Sequence, residues 1–261
     1  TVCYTLAGIA NPETGWGRAQ ESWHALETIR QLGGPDWFSL GDRDLGVHLE
    51  RTRRLRLGEP LSQITADFCR AFGVRARVLP ATDEEVPTLV ITDEGELSFQ
   101  EYFVRRRCQP QVRGFRFEGV ERAKPAPGVI SALEQADLVV FCPSNPWVSL
   151  DPLLAIGGLR SLAAAQLTVG VSPIIAGRTV KGPAAKMFAE LGIAPSALAV
   201  ARHYQGVLRG LVLDRADADQ AEAIRKIGIT PYTTDILMKD QADRKRLAEE
   251  VVAFGLSLKK A

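Results

Sequence analysis

Residues 137–146 read Asp137-Leu138-Val139-Val140-Phe141-Cys142-Pro143-Ser144-Asn145-Pro146. The run from Leu138 to Cys142 is apolar with no alternation, the pattern of a strand covered on both faces in a parallel sheet. The next four residues are two prolines bracketing a hydroxyl and a carboxamide. Ligands of open α/β sheets bind beyond the carboxyl ends of the strands. Ser144 and Asn145 therefore stand where side chains and backbone N–H groups can bind a phosphate or ribose, held by prolines that fix the chain. A plain strand-to-helix turn uses the same residue types, and the segment alone does not separate the two readings.

Strand and helix patterns alternate around this stretch. Residues 127–136 read as a helix. Beyond it come a strand at 167–171, a helix at 183–191, a strand at 207–213, a helix at 216–227, a short strand near Ile229 and a helix at 242–254. This alternation predicts an α/β fold with a doubly wound, Rossmann-like parallel sheet. On the N-terminal side, residues 18–32 read as a helix, with Trp23, Leu26 and Ile29 at helical spacing and Gly33-Gly34-Pro35 as the stop. Asp42 is placed to cap a second helix reaching about Leu57, and 62–72 forms a third. Residues 88–92 and 97–104, on either side of Asp93-Glu94-Gly95, predict a β-hairpin, and 112–120 a further strand. Residues 43–122 thus break the alternation. They predict an inserted subdomain of helices and hairpin within a core built from 1–42 and 123–261.

The chain has 261 residues, is 46% hydrophobic and carries a formal net charge of +1. A core of useful size can be buried. No global field holds the molecule on nucleic acid or an anionic membrane, so neither is expected as a partner. The cysteines, Cys3, Cys69, Cys108 and Cys142, are isolated. They read as buried thiols in a reducing compartment rather than as a zinc site or disulfide framework. With no apolar run of membrane-spanning length and no secretion signal, a cytoplasmic location is expected. The sequence opens at Thr1-Val2-Cys3 without the strand and glycine-rich turn that usually begin a nucleotide-binding α/β protein, so a preceding segment is expected.

Two further constellations bear on chemistry. Ser172-Pro173-Ile174-Ile175 follows an apolar strand and leads to Lys181-Gly182-Pro183-Ala184-Ala185-Lys186. Pro183 fits a first helical turn, and lysine at a positive helix end is unfavourable unless an anion is near. Lys181 and Lys186 thus suggest a phosphate-bearing ligand, although solvated lysines are the commoner case. Gly41-Asp42-Arg43-Asp44 is followed by His48 and Arg51 at helical spacing. Asp42 and Asp44 could orient a hydroxyl or assist a metal and Arg43 could clamp phosphate; against this stands a helix cap with surface ion pairs. The chain lacks GxxxxGK[ST], GxGxxG, GxSxG and HExxH, which excludes P-loop, dinucleotide, hydrolase-elbow and zincin readings. His24, His48 and His203 are dispersed and read as packing or hydrogen-bonding residues.

Taken in order, Tyr4-Thr5-Leu6, Trp16-Gly17, Leu40-Gly41-Asp42-Arg43-Asp44, Pro60-Leu61-Ser62, Phe99-Gln100-Glu101, Pro143-Ser144-Asn145-Pro146 with Ser149, Ser172-Pro173-Ile174-Ile175 and the Lys181–Lys186 segment span nearly the whole chain. This order resembles the 2-phospho-L-lactate transferase family of coenzyme F-420 biosynthesis. The resemblance implies a guanosine-diphosphate-linked donor carrying phospholactate, phosphoenolpyruvate or phosphoglycerate. It implies the deazaflavin Fo as acceptor, GMP as leaving group and magnesium as cofactor. It assigns Ser144 and Asn145 to a phosphate and nucleotide loop, Lys181 and Lys186, with Ser172 upstream, to a second phosphate-facing loop, and Ser39 to Asp42 to a turn near Fo. Asp42, Arg43 and Asp44 are the candidate catalytic residues. No metal ligand is expected within this sequence; the acids that hold magnesium are expected in the preceding segment. A homodimer is a possible assembly. The gluconeogenesis factors, a related family, give the competing expectation of a non-catalytic nucleotide-sugar sensor.

Overall fold

A computed structural model describes residues 1–260. Four helices come first: α1 (Val2–Leu6), α2 (His24–Gln31), α3 (Asp42–Arg56) and α4 (Leu61–Ala71). Three strands follow, β1 (Thr88–Thr92), β2 (Gly95–Ser98) and β3 (Val112–Phe117), forming an antiparallel sheet in the order β2-β1-β3. A π-helical turn, Glu101–Arg105, stands between β2 and β3. The alternating region then runs α5 (Val129–Glu134), β4 (Val139–Phe141), a π-helical turn at Pro146–Leu150 leading into α6 (Asp151–Leu154), and α7 (Leu159–Ala165). It continues through β5 (Thr168–Val171), a hairpin of β6 (Ile174–Ile175) and β7 (Arg178–Thr179), α8 (Ala184–Glu190) and α9 (Ala197–His203). It ends with β8 (Gly210–Asp214), a 3-10 stretch Arg215–Gln220, α10 (Ala221–Lys226), β9 (Thr230–Thr234) and α11 (Gln241–Ser257).

The main sheet is parallel, in the order β4-β5-β8-β9. Successive side chains of a strand point to opposite faces, and β8 shows the consequence. Leu211 and Leu213 enter a large cluster with Phe141, Trp147, Phe188 and Tyr204. Val212 enters a second cluster with Val169, Leu247, Val251 and Phe254 of α11. Both faces are therefore covered, as the unbroken apolar runs require. The cover is complete for β5 and β8 but not for β4. Among the described residues β4 has one strand neighbour, and Val140 remains 36% exposed. Val90, Tyr102 and Val112 of the 43–122 region belong to the first cluster too, so the antiparallel sheet shares the core of the parallel one.

Gly210 shows how closely α11 seats. A Cβ there would lie 2.8 Å from the Phe254 ring and 2.9 Å from Leu258. Gly210→Val is therefore expected to push α11 outward and cost about 1–3 kcal/mol, read as a lowered urea midpoint with an unchanged slope.

Several expectations need correction. The helix at 18–32 begins only at His24, because Glu21 and Ser22 are used elsewhere. The Glu21 carboxylate accepts from the Arg43 and Asp44 N–H groups at 2.7 and 2.9 Å, while Asp42 accepts from Ser22 Oγ at 2.6 Å and from the His24 and Ala25 N–H groups at 3.1 and 3.0 Å. Each helix start is thus capped by a carboxylate from the other segment. Gly41, not Asp42, is the N-cap of α3, and a side chain at Gly41 would strike Glu21. The second arm of the hairpin stops at Ser98, not Val104, and the chain turns helical instead. Of the isolated cysteines, Cys142 is exposed, and Cys3 and Cys69 bring their sulfurs within 3.2 Å of each other.

Candidate functional site

Parallel strands leave the sheet at one edge, and the loops after β4, β5 and β9 meet there. They border a cleft of about 440 Å³. Pro143, Ser144 and Asn145 come from the loop after β4, Ser172 and Pro173 from that after β5, and Ile236 to Met238 from that after β9. The hairpin β6–β7 and its following loop add Lys181 and Pro183. Arg244 on α11 completes the polar wall, and Phe99 and Phe103 form an aromatic one.

Each of these loops is fixed by a nearby backbone requirement. Asn145 Oδ1 accepts from the Trp147 N–H at 3.1 Å, capping the π-helical turn, and its Nδ2 lies 3.0 Å from the Met187 sulfur. The Ser172 hydroxyl donates to Ile174 O at 2.9 Å and accepts from Ile174 N at 3.1 Å. It borders the cleft but is spent on its own turn. The β6–β7 hairpin hangs on Asp217, which is 2% exposed. Its carboxylate accepts from Ala176 N at 3.0 Å and from Gln220 Nε2 at 2.8 Å, and burial pushes its pKa up. Ala176 carries a left-handed φ of 46°, a strained geometry for a residue with a Cβ. Asp217→Ala would leave that N–H without its partner. The expected cost is about 1–3 kcal/mol of stability, measurable by urea denaturation.

Charge in the cleft is one-sided. Lys181 and Arg244 line it, and no carboxylate does among the described residues. Neither cation makes a salt bridge with a described residue; the Lys181 ammonium lies 5.7 Å from the centre of the exposed Trp16 ring. Two unpaired cations beside hydroxyl and amide groups at a strand edge suit a polyanion such as a diphosphate.

The structure brings Ser144, Asn145, Ser172 and Lys181 together and leaves the other sequence candidates outside. Lys186 lies on α8 two residues beyond the cleft-lining Ala184, about 200° around the helix. Its ammonium therefore faces β3, 2.5 Å from Glu190 Oε1 and 3.1 Å from the Pro110 carbonyl. Glu190 in turn accepts from Val112 N at 3.0 Å. This is a tether between α8 and the antiparallel sheet, and the expectation that Lys186 shares a cleft with Asn145 is corrected. Ser39 is exposed between α2 and α3 and does not border the cleft. Asp42, Arg43 and Asp44 do not border it either. The Ser22 hydroxyl, then the Ala25 N–H, hold the Asp42 carboxyl below its ordinary pKa. Asp44 accepts from Tyr4 Oη at 2.7 Å, and the Arg43 guanidinium reaches the Gln20 side chain. His203 bonds Asp151 at 2.8 Å and His48 bonds Arg51 at 2.8 Å, as expected of hydrogen-bonding residues, whereas the His24 side chain is exposed and comes only within 3.8 Å of Glu27.

Arg244 was not found from the sequence. The signal was present, a basic residue near the start of a long helix, the same unfavourable placement that singled out Lys186. A second cavity, of about 430 Å³, lies between α4 and residues 74–79, with Arg70 and Arg77 on its wall. It shares no lining residue with the cleft at the carboxyl edge of the sheet and takes none of the loops described above.

The family model of the 2-phospho-L-lactate transferase CofD matches residues 1–252. The chain belongs to the CofD family. CofD relatives cover it end to end. It is 40% identical to a phosphoenolpyruvate transferase of Streptomyces coelicolor, covering 100% of this chain and 84% of that one. A phosphoenolpyruvate transferase of Thermobifida fusca is 43% identical over 99% of this chain and 81% of its own. The CofD chain is thus a transferase. Its fold is also that of Bacillus halodurans protein BH3568. One crystal structure of that protein superposes with a TM-score of 0.60 at 13% identity, over 96% of this chain and 82% of that one. A second, described as a member of the UPF0052 family, gives 0.54 at 13% identity, over 92% and 77%. No single helix among the described residues is long and apolar enough to cross a membrane.

Proposed function

We propose that this chain transfers a three-carbon phospho-acid, of the phosphoenolpyruvate or phospholactate type, from a guanosine-diphosphate-linked donor to the deazaflavin Fo. One observation carries the reading: the cleft at the carboxyl edge of the sheet gathers Ser144, Asn145, Lys181 and Arg244, with no carboxylate on its wall among the described residues. The acceptor hydroxyl forms a bond to the donor phosphorus that bears the acid. The bond from that phosphorus to the bridging oxygen breaks, and GMP leaves with the oxygen. The hydroxyl proton passes to solvent.

Phosphoryl transition states of this kind need little covalent help and much positioning and charge neutralisation. Lys181 and Arg244 would offset charge on the phosphoryl oxygens, and Ser144 with the backbone N–H groups of its loop would orient them. Asn145 would contribute the one amide hydrogen not directed at Met187. Asp42, Arg43 and Asp44 receive no role in the transfer: none borders the cleft, the Asp42 carboxylate caps the start of α2, Asp44 accepts from Tyr4 and Arg43 reaches Gln20.

Magnesium is implied by the family but not by this cleft. Magnesium is ordinarily held by one or two carboxylates together with substrate phosphates. The cleft wall has no carboxylate, and no three His, Cys, Asp or Glu side chains converge on a cation site among the described residues. The residues present do not make a magnesium site by themselves, and no step is routed through the ion.

The test is direct. Purified protein is mixed with Fo, magnesium chloride and each of three guanosine-diphosphate donors, carrying phosphoenolpyruvate, phospholactate or phosphoglycerate. GMP release is followed by chromatography and the deazaflavin product by mass spectrometry. Release with one donor, most readily the phosphoenolpyruvate one given the names of the relatives, supports the proposal. No release with any of them defeats it. Relatives at 40% identity and above carry transferase names, which favours the transferase over the sensor reading.

A further inference from the structure

We propose that Phe99 and Phe103 form a stacking subsite in the cleft for a planar aromatic heterocycle, with Phe103 as the ring that touches it. The two side chains lie nearly parallel, centroids 5.4 Å apart and planes 13° apart. Both line the cleft that holds Lys181 and Arg244.

Their placement follows from the π-helical turn. The run from Phe99 through Val104 reads as a strand, but at Glu101–Arg105 the chain winds into a π turn, a distortion frequent at functional sites. The turn sends Tyr102 fully into the core while Phe103 stays 39% exposed. Phe99 packs against the main core cluster. Phe103 is not part of that cluster; it lies on Phe99. In a stacked pair each ring hides one face of the other, so the open surface of Phe103 adds to the cleft wall. Aromatic rings favour offset stacking on a further flat π system over exposure to water. Met238, also on the wall and 39% exposed, offers a polarisable thioether to the same kind of ligand. The cleft thus pairs a cationic part with a flat aromatic part, which fits a molecule having a phosphate chain at one end and a fused ring at the other.

This inference rests on the proposed function, which supplies two such rings: the nucleobase of the donor and the deazaflavin of the acceptor. The experiment separates them. Binding of guanosine diphosphate is measured by calorimetry and binding of Fo by its fluorescence, for wild type, Phe103→Ala, Phe103→Leu and Phe103→Tyr. The leucine variant keeps apolar bulk and removes the ring, so it serves if the alanine variant melts early. Tyrosine keeps the stacking face. Ring removal is expected to weaken at least one ligand roughly tenfold, with Phe103→Tyr near wild type and melting temperatures unchanged. The ligand that weakens identifies the ring. Unchanged affinity for both ligands in a folded Phe103→Leu protein overturns the subsite and leaves the transferase reading standing. Wild-type protein that binds neither ligand overturns both.

Discussion

Lys181→Glu is expected to weaken guanosine diphosphate binding by roughly ten- to a hundredfold and to abolish GMP release. A charge-assisted hydrogen bond contributes about 1.5–3 kcal/mol, and each 1.4 kcal/mol is about tenfold in affinity. Charge reversal also places an anion beside the bound phosphates. The fold should not suffer, because Lys181 is exposed, with its ammonium over the exposed Trp16 ring. Lys181→Arg should retain most of the affinity. Wild-type affinity should fall as salt is raised, since the partner groups are screened. Lys186→Ala provides the contrast. It breaks the tether to Glu190 and the Pro110 carbonyl, so it should lower the melting temperature and leave nucleotide affinity nearly unchanged. Calorimetric binding and thermal melting of the two variants side by side separate a ligand contact from a structural one.

Trp147→Ala is expected to have the largest effect on stability, about 3–5 kcal/mol. Trp147 is 8% exposed, immediately behind the cleft-lining loop. Its ring stacks on Phe115 of β3 at 5.8 Å, meets Phe188 of α8 edge-on at 4.4 Å and meets His203 of α9 at 5.7 Å. It therefore joins the antiparallel sheet to the helices over the parallel one, while the backbone N–H of the same residue donates to Asn145 Oδ1 and is kept on substitution. Domains are stable by only about 5–15 kcal/mol, so this loss should leave a large unfolded fraction at modest urea. Trp147→Phe keeps ring and most volume and should cost much less. Equilibrium urea denaturation followed by circular dichroism measures both.

The parts of the fold legible in the sequence were those set by local pattern. Residues 138–142 and 167–171 are largely apolar, and each contains a strand of the parallel sheet, fully buried in β5 and partly exposed in β4. Gly33 and Gly73 follow helices and take the positive φ that ends them. What was hidden depended on partners distant in sequence. The start of α2 is set by the Asp42 carboxylate, 18 residues from the His24 N–H it caps. Residues 97–104 are rich in aromatic and β-branched types and read as a strand, yet the strand ends at Ser98 and the chain winds helically at Glu101–Arg105, where Tyr102 is buried beside Val90 and Val112. The same holds for the site. Ser144 and Asn145 were visible because a strand end and a polar loop adjoin in sequence. Lys186 was misread and Arg244 missed because the face a helical side chain presents depends on how the helix is rotated against its neighbours. For Lys186 that was decided by Pro110, 76 residues away.

A crystal structure of the protein with guanosine diphosphate tests the central claim most directly. The expected result is a diphosphate between the Ser144–Asn145 loop and Lys181, within hydrogen-bond distance of that ammonium, and with the cleft otherwise little changed. Nucleotide bound instead beside Arg70 and Arg77, or at the Glu21–Asp42 helix starts, with the cleft empty, would contradict it.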